Sequence, residues 1–125
     1  MIAYLRDEPG ADAVENLLAD DDEVCVAHAV NLCEVYYRAV RRSNPVRAAA
    51  IINDLIGAGL NVSRTLDMEF WMDVGDIKAN MPSIPLADCF VVALTSRLDA
   101  DAVTADHPDF DPIAEKGICR VVFIR

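Results

Sequence analysis

A chain of 125 residues with 54% hydrophobic content can bury the core of one domain and is too short for two ordinary ones, so a single domain over residues 1–125 is expected. Its formal charge of −10 excludes nucleic-acid binding through a broad basic face, because phosphate affinity comes largely from Lys and Arg. It does not exclude a nuclease, since carboxylates that hold Mg²⁺ concentrate negative charge and the metal then attracts phosphate. The longest apolar run, Cys89 to Leu94, is far too short to cross a membrane. The first residues lack the basic patch and small-residue cleavage site of a signal peptide, and a cytoplasmic protein is expected.

The opening "MIAYLRDEPG" reads as a buried helical turn that runs into a charged exit and a Pro-Gly stop, with no start signal ahead of it. Val14, Leu17 and Leu18 then mark a helix over Ala11 to Ala19, ended by the solvated "DDDE". "VCVA" from Val24 to Ala27 predicts a short buried strand. Val30, Cys33, Tyr37 and Val40 recur at helical intervals up to Arg41-Arg42, a favourable charge at a helix C-terminus. Pro45 opens the next helix, through Ile51, Ile52, Leu55 and Ile56 to Gly57 and Gly59.

"LNVSRT" predicts a strand, and a helix follows from about Asp67 to Ala79 with Asp67 as its cap. Pro82 and Pro85 bracket a break before Leu86 to Leu98, which is apolar nearly all round and predicts a buried helix. "DAVTAD" supplies a strand ending in acids, "HPDFDPIAEKG" a loop, and "ICRVVFI" a last strand. Strands alternating with helices predict an α/β fold, a parallel sheet covered on both faces in three α/β/α layers. Four visible strands are thin for such a sheet.

Cys25, Cys33, Cys89 and Cys119 stand in apolar surroundings without a Cys-x-x-Cys pair, which suits small buried residues in a reducing compartment. Cys25, His28 and Cys33 match no common zinc spacing and lack an evident fourth ligand. His28 and His107 read as a strand-end and a loop residue.

Three acids stand out. Glu34 borders the apolar face of its helix and either points into a cleft or pairs with Arg38 at i+4. Asp88 follows Pro85, taken as the first helical residue, by three positions and is the only ionisable residue between Lys78 and Arg97. A lone carboxylate in the first turn of a buried helix needs the helix dipole or a cation to offset it. Asp106 ends a strand, where ligands gather in open α/β sheets, or forms a turn before His107-Pro108. Asp109 and Asp111 follow in the same segment, so position alone does not select one.

"IAYLRDEPGA", "VAHAVNLCEVYYRAVRR" and "IPLADCFVVALTSRLDADAVTADHPDF" resemble, in order and over essentially the whole chain, the signature segments of PIN-domain proteins, especially VapC-type toxins. The resemblance implies a Mg²⁺- or Mn²⁺-dependent endoribonuclease, the toxin of a toxin–antitoxin pair, with an RNA substrate, a cognate antitoxin and a homodimeric state. It places metal-binding catalytic acids at Glu34 in "NLCE", Asp88 in "LAD" and Asp106 in "TAD", with Asp109 as a weaker outer ligand. Thr104 and Asn31 would support them.

The family's first metal-binding Asp ends an initial central strand just before the helix that here reads "MIAYLRDEP", and this chain carries neither ahead of that helix. The expectation is a start assigned at an internal Met, with roughly ten to fifteen residues more in the natural protein, enough for one strand and its turn. Without the first Asp, weak or absent nuclease activity is expected of these residues. A catalytically impaired PIN-fold binding module is the alternative. A phosphoacceptor receiver domain would need adjacent acids after the first visible strand and a late Lys, which "VCVAHAV" and "ICRVVFI" do not supply.

Overall fold

The computed structural model describes every residue from Met1 to Arg125. It divides into two compact units, Met1–Arg64 and Thr65–Arg125.

The first unit runs α1 (Ile2–Arg6), α2 (Ala11–Ala19), β1 (Val26–His28), α3 (Ala29–Arg42), α4 (Pro45–Gly57) and β2 (Asn61–Ser63). The opening turn forms as expected, and α1 stops because Asp7 turns left-handed at φ 53°, a conformation Asp tolerates better than most residues. Pro45 takes the first turn of α4, where its missing N–H costs nothing, and Asn44 caps that helix by accepting from the Arg47 amide at 2.9 Å. After α4 the chain must reverse, and Gly59 does it at φ 115°. A Cβ there would lie 2.7 Å from the Leu18 carbonyl oxygen, so this position requires glycine.

The strand expected at Val24 to Ala27 begins two residues later, with Val24 76% exposed. It runs parallel to β2, with Val26, Ala27 and His28 opposite Asn61, Val62 and Ser63. The crossover between them is α3 and α4, packed on one another. The unit's core is Ala27, Leu32, Val35, Leu55 and Leu60, with Met1, Ile2, Tyr4 and Leu5 packed against it.

The second unit runs α5 (Met68–Asn80), α6 (Leu86–Leu98), β3 (Asp101–Thr104), α7 (His107–Glu115) and β4 (Arg120–Phe123). Asp67 caps α5, as its sequence predicts, accepting from the Phe70 amide at 2.9 Å while also binding Arg97 at 2.7 Å. Lys78 donates to the carbonyls of Pro82 and Ile84 at 2.7 and 2.6 Å, pinning the turn that delivers α6. The apolar α6 buries Cys89, Phe90, Val92, Ala93 and Leu94. Phe70 packs on Phe90 with ring centroids 5.9 Å apart.

β3 and β4 are parallel, and their register sets Asp101 beside Arg120. Arg120 donates to Asp101 at 2.6 Å and to the Asp99 carboxylate at 3.1 Å, and both partners hold its pKa above the usual guanidinium value. Three expectations need correction, while the parallel pairing of an α/β fold holds. The strands pair as two separate two-stranded parallel sheets, β1-β2 and β3-β4, and not as four in one sheet. The segment read as a loop, "HPDFDPIAEKG", forms α7 from His107 to Glu115. Its two prolines hid a start signal: Asp106 as cap, Pro108 in the first turn and Asp109 three residues on. All four cysteines are free, and Cys33 is exposed on the outer side of α3, contrary to the buried position expected.

No helix is long and apolar enough to cross a membrane.

Candidate active site

The carboxyl-terminal end of β3 leads directly into the candidate acids of the second unit. The Thr104 Oγ1 accepts a 3.0 Å hydrogen bond from the Asp106 amide, which closes the turn out of the strand. The Asp106 carboxylate in turn accepts from the Asp109 amide at 3.3 Å and caps α7. Asp106 thus does a structural task that its position before His107-Pro108 had left open. Asp109 is half-buried, and burial first, then the neighbouring Asp106 carboxylate, push its carboxyl above the ordinary range.

His107 heads α7 with its ring stacked on Phe123 at 4.1 Å between centroids. Its two ring nitrogens lie 2.9 Å from Asp111 and 2.8 Å from the Arg125 carbonyl oxygen. Those two partners raise its pKa above the usual imidazole value, the carbonyl contributing most. This clamp ties the head of α7 to the chain end after β4, a role the sequence reading missed because it saw a loop there. The i, i+4 pair of His107 and Asp111 is the signal that a helical reading would have used.

Asp88 is half-buried in the first turn of α6. Pro85 is the N-cap and not the first helical residue, so Asp88 is the third residue of the helix and its amide donates to the Pro85 carbonyl at 3.0 Å. No side chain caps α6, which leaves the positive end of its dipole to the Asp88 carboxylate.

Glu34 and Asn31 belong to α3 of the first unit. Asn31 is buried one turn from the start of the helix, and Glu34 is half-buried and ion-paired with Arg38. The i+4 alternative for Glu34 is therefore present. His28, 1% exposed at the end of β1, accepts the Val30 amide on Nδ1 at 3.1 Å and caps α3. That engages the nitrogen nearest the helix start. Cys25 donates its thiol to the Leu17 carbonyl at 3.4 Å, and burial raises its pKa.

The structure brings Thr104, Asp106 and Asp109 together at the head of α7. No three carboxylate, imidazole or thiol groups are gathered tightly enough to cage a metal ion. A closed site for zinc or calcium is not built here. Mg²⁺ asks for less: it keeps most of its waters and takes one or two carboxylates. Asp106 and Asp109 meet that requirement in donor chemistry, since both are hard oxygen ligands, set side by side where the Asp106 carboxylate accepts the Asp109 amide.

The PIN domain family matches residues 1–116. A chain of a DNA-bound VapBC from Salmonella typhimurium superposes with a TM-score of 0.72 at 16% identity, covering 99% of this chain and 91% of that one. A chain of VapBC-1 from nontypeable Haemophilus influenzae gives 0.70 at 18% identity, covering 98% and 92%. No curated protein matches. At such identity the two structures speak for the fold, an α/β architecture on parallel strands. With its family match spanning nearly the whole length, the chain belongs to the PIN domain family.

Proposed function

We propose that the protein is an endoribonuclease of the VapC type, dependent on Mg²⁺ or Mn²⁺, that acts in the cytoplasm as the toxin of a toxin–antitoxin pair. The observation that carries this reading is the family match over residues 1–116; the resemblance of the segments around Glu34, Asp88 and Asp106 to the family's acidic segments motivates the choice of acids. The likeness to chains from two VapBC assemblies supports it.

In this reading Glu34, Asp88 and Asp106 are the metal-binding acids and Asp109 is a weaker outer ligand. The cation supplies Lewis-acid stabilisation of charge on the scissile phosphate. The chain's own residues do the positioning. Thr104 fixes the Asp106 backbone at the strand end, and the α7 cap orients its carboxylate. Asp88 stands in the first turn of α6, and Asn31 supports Glu34 from the first turn of α3. RNA is the substrate, and the antitoxin covers the acids with a basic side chain that neutralises them. Homodimerisation is part of the same reading.

A binding module without a competent site is the second reading. It is favoured by the Glu34–Arg38 ion pair and by the Asp106 cap, which give two of the three acids structural work. Titration with Mn²⁺ during thermal unfolding, followed by RNA cleavage with and without EDTA, separates the two. A melting shift with EDTA-sensitive cleavage, weak without the family's first Asp, is expected. A shift without cleavage favours the module, and neither a shift nor cleavage refutes the metal-site proposal.

A further inference from the structure

Arg6, Arg97 and Arg120 each pair with a carboxylate. Arg41, Arg42 and Arg47 are exposed and pair with none, in a chain that carries 21 acidic residues. All three fall in the longest acid-free stretch of the sequence, Val35 to Asn53. They meet at one corner of the first unit, where Ser43 and Asn44 alone join α3 to α4 and the two helices pack on one another. A net charge of −10 rules out a broad basic face, but not a local one.

Helix electrostatics explain part of this corner and oppose the rest. Arg41 and Arg42 occupy the last turn of α3, where positive charge is favourable. They are not needed as caps there, because the amide and the hydroxyl of Ser43 donate to the Ala39 carbonyl at 3.0 and 3.1 Å. Arg47 stands in the first turn of α4, where positive charge is unfavourable and no acid offsets it. Asn44 caps that turn as well as aspartate would, without adding a negative charge. An unpaired cation set against a helix dipole breaks a local rule without a gain in stability, which marks a residue that serves a ligand. Tyr37, 45% exposed, lies one turn before Arg41 on the same face of α3. Glu34 lies two turns before Arg41 on that face, about 10 Å along the axis.

We propose that this corner holds the backbone of single-stranded RNA, with Arg41, Arg42 and Arg47 on phosphates and Tyr37 stacked on a base. Guanidinium groups match phosphate oxygens two at a time, and an aromatic plane beside them accepts any base. An acidic protein segment would answer the charges but would leave Tyr37 without a planar partner. The inference rests on the RNA substrate of the proposed function and gives that substrate a docking surface on the helix that carries Glu34. It needs no metal, so binding is measurable apart from cleavage.

Fluorescence anisotropy of a short labelled single-stranded RNA, titrated with the full chain in EDTA across a salt series, tests it. The slope of log affinity against log salt should fall by about 0.7 for each of Arg41, Arg42 and Arg47 changed to Gln, and the triple variant should bind at least about tenfold more weakly. Arg47→Glu puts favourable charge in the first turn of α4 and should melt no lower than the parent, yet bind at least about tenfold more weakly. A merely structural arginine would not separate those two readings. Tyr37→Leu should weaken binding about fivefold or more and leave the salt slope unchanged. No binding by the parent, or binding indifferent to the three arginines, overturns the surface. Polyglutamate that displaces the RNA at equal charge overturns it in favour of an acidic protein partner. RNA that is bound through these arginines but never cut in Mg²⁺ or Mn²⁺ supports the surface and refutes the nuclease, whereas RNA cut by a chain whose binding ignores them refutes the surface alone.

Discussion

Asp106 carries two separable duties, and two substitutions pull them apart. As N-cap of α7 it accepts the Asp109 amide at 3.3 Å, and as a proposed ligand it contributes charge to a cation. Asparagine caps helices about as well as aspartate, whereas alanine cannot, at a cost near 1 kcal/mol. At about 2.1 cal/mol/K of unfolding entropy per residue, a chain of 125 residues loses about 4 °C of Tm per kcal/mol. Asp106→Asn should therefore melt within about 1 °C of the parent, and Asp106→Ala about 4 °C lower. Cation binding at a hundredfold excess over Kd adds about 2.7 kcal/mol, or about 10 °C on the same scale. The parent should show that rise with Mn²⁺, and both variants should lose most of it. The assay is thermal unfolding by circular dichroism with EDTA or Mn²⁺. An Asp106→Asn variant that keeps the full Mn²⁺ shift refutes Asp106 as a ligand, and one that melts as low as Asp106→Ala refutes the cap argument.

Phe70→Ala, which empties a fully buried site against Phe90, should cost about 3–5 kcal/mol in urea unfolding. Asp67→Asn keeps the α5 cap but loses Arg97, the partner that chiefly holds the Asp67 carboxyl below its ordinary value. A depressed carboxylate stabilises above its unfolded pKa of about 3.9 and loses that contribution as pH falls through the folded value. The difference between Asp67→Asn and the parent should therefore be present at neutral pH and vanish under acid, as urea midpoints across that range will register. Gly59→Ala, strained by its φ of 115° and by the Leu18 carbonyl at 2.7 Å, should destabilise by about 1–3 kcal/mol. Gly75→Ala, with open space at its Cβ, should stabilise the monomer by up to about 1 kcal/mol.

The helices announced themselves through local chemistry. Pro45 and Asp67 marked starts and Arg41-Arg42 marked an end, and the structure places α4, α5 and α3 accordingly. Where two local rules conflicted, the weaker-looking one prevailed. Pro108 and Pro112 argued for a loop, yet Pro108 sits in the first turn where no amide partner is needed, and the Asp106 cap carries the helix. Strand existence was legible in "DAVT" and "RVVF", but which edge meets which was not, because β pairing depends on partners distant in sequence. The β3-β4 register is secured by Arg120, whose partners Asp99 and Asp101 carry no special mark in the sequence. The same limit governs the site. Motif order singled out Glu34, Asp88 and Asp106, and the i+4 spacing to Arg38 and the first-turn place of Asp88 named two competing roles in advance, but the Asp106 cap emerges only from the fold, because the helix it caps was read as a loop.

The central claim is that these acids serve metal-dependent cutting of RNA, and cleavage of an end-labelled single-stranded RNA tests it most directly. The account predicts internal cuts, weak because the family's first metal-binding Asp is not among these residues, that require Mg²⁺ or Mn²⁺, stop with EDTA, and are lost in Asp88→Asn while the fold is retained. RNA left intact in both metals, or cuts indifferent to EDTA and to Asp88→Asn, would contradict it.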